Sequence, residues 1–408
     1  MGWLGSWAKR IEITLESTVV DGTLSDFPAL VYLSTSSGIN NEDVSSVFDQ
    51  LTSDANRTKI AITQADGTTQ QYVDIERWDD ANEKAWLWTK VPSLSASSDT
   101  KIYLYYDALQ SANTSYVGDT ASTPAKLVWS EYTVVYHMED ATTSTVLDAG
   151  SNGFTMTKKG ANEPLEDISP GIIGNSQHWD GSTDYLKHGT DQAALRWNQD
   201  VTYESWFYPT NDAGQDHLYM QGSKVNNDSW RIFVTPTYRL YLAAHAPNST
   251  SADFSAVTSH NAIAANTWQH IALARDGGTG ATIYINGVAQ TWASTNGNLN
   301  SSLNLGGGYS SGSLLFSEGL WLGSAHTPEA PVEGNMDEVR FSSDVKSTAW
   351  INTSYESGRD ALISNFAAEE TGSFGPADIE KLNGFTSSDI QALNGITYDD
   401  IEKINGVD

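Results

Sequence analysis

The chain contains no cysteine, which removes disulfides, thiol nucleophiles and Cys-ligated zinc from consideration. Cations are scarce as well: 22 Lys and Arg stand against 51 Asp and Glu, a net charge of −29. Phosphate contacts need Lys and Arg, so neither nucleic acid nor an anionic membrane surface is expected as a partner. The acidity reads instead as solubility at high copy number. No apolar run is long enough to span a bilayer, and the opening MGWLGSWAKRIEITL holds no stretch of signal-peptide length. The eight histidines show neither H-x-x-x-H nor H-E-x-x-H spacing, so a zincin is unsupported.

Aromatics and turn formers are plentiful: 14 Trp, 18 Tyr and 33 Gly in 408 residues. Short strand-type runs recur throughout, and no long helical period appears before residue 375, so the expected class is all-β. Residues 1–110 read as an N-terminal β-sandwich, with KRIEITLE, FPALVYL and TKIYLYY as strands. The polar stretch 111–125 reads as a linker. Residues 126–366 form a second block in which Asn286-Gly287 predicts a type I′ hairpin turn. Residues 367–408 form a tail in which D-I-x-x-[LI]-N-G returns three times at a spacing of 11. Each unit predicts two turns of helix stopped by glycine. Helices this short need a partner surface, so Ile379, Leu382, Ile390, Leu393, Ile401 and Ile404 are assigned to assembly. Trp3, Leu4 and Trp7 are a second candidate attachment point.

The middle block carries GIIGNSQHWDGSTDYLKHG, TYESWFYPT, NTWQHIALARDGGTGATIYINGV, GLWLGS and EGNMDEVRFSS in order. Together these resemble a laminin-G-like domain of the concanavalin A-like jelly roll. The first block resembles a family of unknown function found ahead of such jelly rolls, through WAKRIEITL, DFPALVYL and DIERWDDANEKAWLWTKVPSLSASSDTKIYLYY. With the repeat tail, the pairing is similar to structural proteins of tailed bacteriophages. That resemblance implies a non-enzymatic virion protein: a head decoration, head fibre or tail-associated adhesin. Other virion proteins would then be partners, host-surface polysaccharide the receptor, and the protein oligomeric in the particle. The resemblance also nominates Ca2+ as the cofactor, held at the sandwich rim by Asp180, Asp184 and Asp337.

The residues themselves offer little catalysis. YVDIE at 72–76 is the nearest match to the E-x-D-x-E strand of family 16 glycanases, and it lacks the first acid. Its alternation predicts Asp74 and Glu76 on a solvent face. His137 and His270 read as satisfied residues of the sandwich. For sugar stacking, Trp230, Tyr238, Tyr241, Trp292 and Tyr309 are the candidates, with the long polar loop 294–313, whereas Trp206, Trp268 and Trp321 read as core. The alternative function is a carbohydrate-binding module or glycanase acting on surface polysaccharide.

Overall fold

The computed structural model describes residues 2–372, apart from 143, 160–164, 168–170, 190–194, 196–198, 211–215, 224–227, 246–253, 278–279, 297–318 and 325–331. The six assembly positions of the tail, Tyr309 and most of the loop 294–313 therefore lie outside the described residues. The fold is all-β, as expected, with four sheets among the described residues. None of the described helices is long and apolar enough to cross a membrane.

The N-terminal sandwich begins with Lys9–Leu15, whose Ile11, Ile13 and Leu15 point inward while Lys9 and Glu12 do not. This strand pairs antiparallel with Thr100–Tyr106 from Lys9↔Tyr106 to Leu15↔Thr100. The sheet continues to Ile60–Gln64 and Gln70–Gln71. A second sheet, ordered Leu24–Leu33, Lys84–Leu94, Val73–Asp79, Val117–Asp119, packs against it around Val31, Leu87, Ile13 and Leu104.

Two boundaries differ from the sequence expectation. The supposed linker 111–125 is part of the first domain: Val117–Asp119 pairs in parallel with Val73–Asp79, and a helix Thr123–Val128 follows it. Val117, Pro124 and Ala125 of this stretch are buried, as is Val128 just beyond it, which overall polarity conceals. The second difference lies at the other end. Ile363–Phe366 and Glu370–Thr371 return to pair with Lys9–Leu15, so the first domain is completed by the end of the described chain.

Trp3 and Trp7 are not a free attachment point either. Trp3 packs edge-on against Tyr105 at 5.6 Å, Trp7 is buried, and the Arg10 guanidinium lies between Trp3 and Tyr103 at 4.4 and 4.3 Å.

The second domain is a jelly roll of an eight-stranded and a nine-stranded sheet. Glu333–Ser342 is central to the first, between Ser176–Asp180 and Val201–Pro209, with Val134–Tyr136 also paired to it. Trp179, Tyr203, Phe207, Tyr219, Trp230 and Phe341 fill the space between the sheets. Asn286 and Gly287 adopt φ of 51° and 75°, the expected hairpin turn.

Candidate functional site

The outer face of the four-stranded sheet meets the outer face of the eight-stranded sheet, and this junction holds the polar chemistry of the molecule. On the first sheet, Asp74 lies opposite Trp88 and Tyr32 opposite Trp86, all away from their own domain core. Glu76 follows on that face by alternation, and a bulge between Ile75 and Arg77 brings Arg77 onto it opposite Trp86. The period-2 reading placed Asp74 and Glu76 on the correct face. That face is buried against the second domain rather than solvated, so the expectation of exposure is corrected.

At its centre, His137 Nδ1 is 2.6 Å from Glu338 Oε1 and 3.3 Å from Glu76 Oε2, while Nε2 is 3.1 Å from Asp74 Oδ2. The indoles of Trp129 and Trp88 donate to Asp74 Oδ2 and Glu76 Oε2, at 2.7 and 2.6 Å. Arg340 donates through Nε to Glu338 Oε2 at 3.0 Å, and its guanidinium lies over Trp88 and Trp129, 4.3 and 4.8 Å from their ring centres. Burial would lower the His137 imidazole, but the Glu338 and Glu76 carboxylates outweigh it and hold it well above its ordinary value. Glu338, despite burial, is drawn down to about 2 by His137 and Arg340. Burial and the charge of Glu338 push Glu76 and Asp337 well up. His137 is thus a satisfied buried histidine, as read from the sequence, but it serves the domain junction.

Alongside, Glu204 accepts from Tyr132 Oη at 2.9 Å, and Tyr132 in turn accepts from the Trp350 indole at 2.9 Å. Trp350 lies on the helix Thr348–Gly358, which is capped by Ser347 and covers the eight-stranded sheet. Gly358 permits this approach, because a Cβ there would meet Trp206 Nε1 at 2.9 Å. The carboxylates of Glu204 and Glu338 are each 1% exposed beneath this cover. No substrate reaches them in this arrangement.

Where the two faces diverge, a cleft of about 480 Å³ opens. Tyr32 and Trp86 form an aromatic platform there, ring centres 5.1 Å apart and 31° from parallel. Around it stand Arg77, Asp79, Asn82, Lys84, Asn175 and Asp360. Arg77 is held by Glu139 at 3.3 Å, and Gly174 forms the facing wall at a φ of 53°. A Cβ at Gly174 would strike Glu139 Oε1, so this wall requires glycine.

Asp360 accepts the Gly38 N–H at 2.8 Å, but burial pushes its carboxyl up to about 6. A folded value above the ordinary 3.8 contributes stability that is complete below about pH 3.8 and lost as pH rises through about 6. Asn retains the acceptor and tolerates the φ of 57°. Asp360→Asn is therefore expected to melt above the unsubstituted protein at pH 8 and level with it at pH 4, in thermal scans across that range.

The sites expected from sequence are placed differently. Asp180 accepts from Ser182 N, Asp184 accepts from Asp180 N, and Asp180 lies opposite Glu333. Asp337 is four positions further along that strand, with its two oxygens taken by the Ile173 and Glu338 N–H groups. The three do not form one carboxylate cage, and they do not fit a shared calcium ion. Trp230 is corrected outright: it is 1% exposed in the jelly-roll core, donating to Leu195 O at 3.0 Å. Tyr241 stacks on Phe233 at 4.7 Å on the outer face of the nine-stranded sheet. Tyr238 and Trp292 pack half-buried against the core, Trp292 donating to Ala281 O at 3.2 Å. These residues share no single site. Trp206 and Trp321 are buried, but on outer faces rather than between the sheets; Trp268 is half-buried against Tyr208.

Sequence reasoning missed Tyr32 and Trp86. Their signal was present in the alternation of FPALVYL and KAWLWTK, where both fall on the face opposite the core.

Residues 180–352 match the concanavalin A-like lectin/glucanases superfamily. Residues 56–151 match a domain of unknown function, DUF2341. The chain thus carries a concanavalin A-like domain preceded by this second domain. Among solved structures, similarity extends to a Ruminococcus gnavus IT-sialidase CBM40 bound to alpha2,3 sialyllactose, at 12% identity and TM-score 0.36, over 44% of this chain and 96% of that one. Domain 4 of AbnA, a GH43 extracellular arabinanase from Geobacillus stearothermophilus in complex with arabinotriose, is similar at 18% identity and TM-score 0.38, over 55% and 97%. The botulinum neurotoxin serotype D binding domain is similar at 12% identity and TM-score 0.40, over 55% of this chain and 51% of that one. The match thus spans about half of that structure. No curated protein matches the chain.

Proposed function

We propose that this chain is a non-enzymatic adhesion protein that binds surface glycan in the cleft between its two domains. The observation that carries this is the Tyr32–Trp86 platform set among Arg77, Asp79, Asn82 and Lys84. Ring faces take the apolar faces of pyranose rings, while convergent polar groups fix the hydroxyls. The superfamily matched by residues 180–352 includes lectins, which supports a sugar ligand. The glycanase alternative is disfavoured because Glu204 and Glu338 are buried on the sheet face, Glu204 under Tyr132 and the helix Thr348–Gly358 and Glu338 against His137 and Arg340. The setting we propose is a tailed-phage particle, supported by the domain pairing and the 11-residue repeats. Mass spectrometry of purified particles tests that setting; absence of the chain from intact particles rejects it.

Binding is tested on a panel of bacterial and algal polysaccharides. For a glycan that binds, Trp86→Ala is expected to weaken affinity about 30-fold, the loss of a central aromatic contact of about 2 kcal/mol. Trp86 is only half-buried, so melting should change little. Trp292→Ala, remote from the cleft, serves as the control. Equal binding by Trp86→Ala and wild type rejects the cleft, and new reducing ends on incubation reject the non-enzymatic reading.

A further inference from the structure

We propose that Glu76, His137 and Glu338 form a site for one divalent transition-metal ion that pins the first domain to the jelly roll. Their ligand atoms all lie within 4.8 Å of one another. The site draws Glu76 from the first domain, and His137 and Glu338 from the adjacent second-domain strand region.

The geometry around the imidazole points to a cation. With its hydrogen on Nε2, His137 donates to Asp74, which is itself fixed by the Trp129 indole and Thr120 at 2.7 and 3.2 Å. That carboxylate–histidine arrangement orients the ring and leaves the Nδ1 lone pair facing two carboxylates. Three ligand-capable atoms then converge out of water, and either a proton on Nδ1 or a metal ion sits between them. The outer partners are also in place, since Arg340 steadies Glu338 and Trp88 steadies Glu76. Independently, Glu76 Oε1 is fully buried and has no hydrogen-bond partner. The oxygen that faces His137 is its neighbour Oε2, so the carboxylate has unused acceptor capacity beside the atom that would ligate.

Ligands about 2.1 Å from a tetrahedral ion stand about 3.4 Å apart. The Glu76–His137 separation of 3.3 Å already matches, and Glu338, at 2.6 Å, would move outward by less than about 1 Å. One imidazole nitrogen with carboxylate oxygens suits zinc or manganese, whereas calcium takes oxygen alone. The competing occupant is a proton, and the experiment separates the two.

The full chain, free of any affinity tag, is stripped with chelator, loaded with zinc chloride and desalted. We expect about one zinc per chain by elemental analysis, and a higher melting temperature than in chelator, since an ion bound only by the folded state stabilises it. Glu76→Gln, which keeps an oxygen for Trp88, should bind zinc at least about 10-fold more weakly. Cobalt added to the wild type should broaden the ring signals of His137 before those of exposed His260. That measurement stands even if the variant fails to fold. Absence of retained zinc, equal zinc affinity in Glu76→Gln, or broadening at His260 first would each overturn the site and leave a proton in it.

Discussion

A chain cut after Asp360 is expected to lose its N-terminal sandwich, while one cut after Gly372 keeps it. The shorter cut removes Leu362, Ile363 and Phe366, which are 1%, 1% and 7% exposed in the first-domain core. At about 1.5–3 kcal/mol for each buried side chain, roughly 5–9 kcal/mol of burial goes with them, an upper estimate. A domain's whole stability is about 5–15 kcal/mol. The loss extends to the backbone, where Glu16 N donates to Leu362 O and Ala367 N to Glu12 O, both at 2.8 Å. It also removes Glu369 and Glu370, which pair with Lys9 and Arg10 at 2.6 and 2.7 Å. The sequence-based boundary at 366 falls between the two returning strands and would cost part of this. Circular dichroism melts of the two truncations decide the matter. A cooperative transition surviving the cut at 360, at the original temperature, would show that the returning strands are dispensable.

Arg340→Ala is expected to destabilise the protein by about 3–5 kcal/mol, the usual consequence of stranding a buried charge. Arg340 is 5% exposed, and the opposite-strand neighbour Glu204 and its own partner Glu338 are both buried acids. Removing the guanidinium takes one cation from Glu338, which keeps His137, and a neighbouring positive charge from Glu204, and it strips Trp88 and Trp129 of the plane stacked on them. Arg340→Lys should fall between, since it keeps the charge but not the flat fork. Arg340→Met combined with Glu338→Gln should recover part of the loss, because Arg340 and Glu338 are neutralised together while His137 keeps Asp74 and Glu76. Urea unfolding measures all three. A loss below about 1 kcal/mol for Arg340→Ala would mean that water reaches the junction and screens it.

The sequence by itself determined the all-β class, the two-domain pairing and much of the local chemistry. Asn286-Gly287 turns where it must, because Asn and Gly tolerate positive φ. The alternation of VDIE correctly set Asp74 and Glu76 on the face opposite the core residues Val73 and Ile75, and the same alternation in KAWLW, which sequence reasoning missed, carries Trp86 and Trp88 on the face opposite Ala85 and Leu87. Such periodicity is a local property of the pleat, so it is legible in a few residues.

What the opposite face meets is a different matter, and only the tertiary structure decided it. The same face is sealed at Asp74, Glu76 and Trp88, where the jelly roll covers it, and open at Tyr32 and Trp86, where the domains part. The tertiary structure also put Trp230 inside and completed the first domain with strands from the far end of the described chain. Contacts between residues far apart in the chain, such as His137 with Asp74, 63 positions away, and with Glu338, 201 positions away, leave no local pattern to read. The physical reason is that burial of a polar face depends on whether a second surface offers matching hydrogen bonds and charge, and that surface is specified elsewhere in the chain.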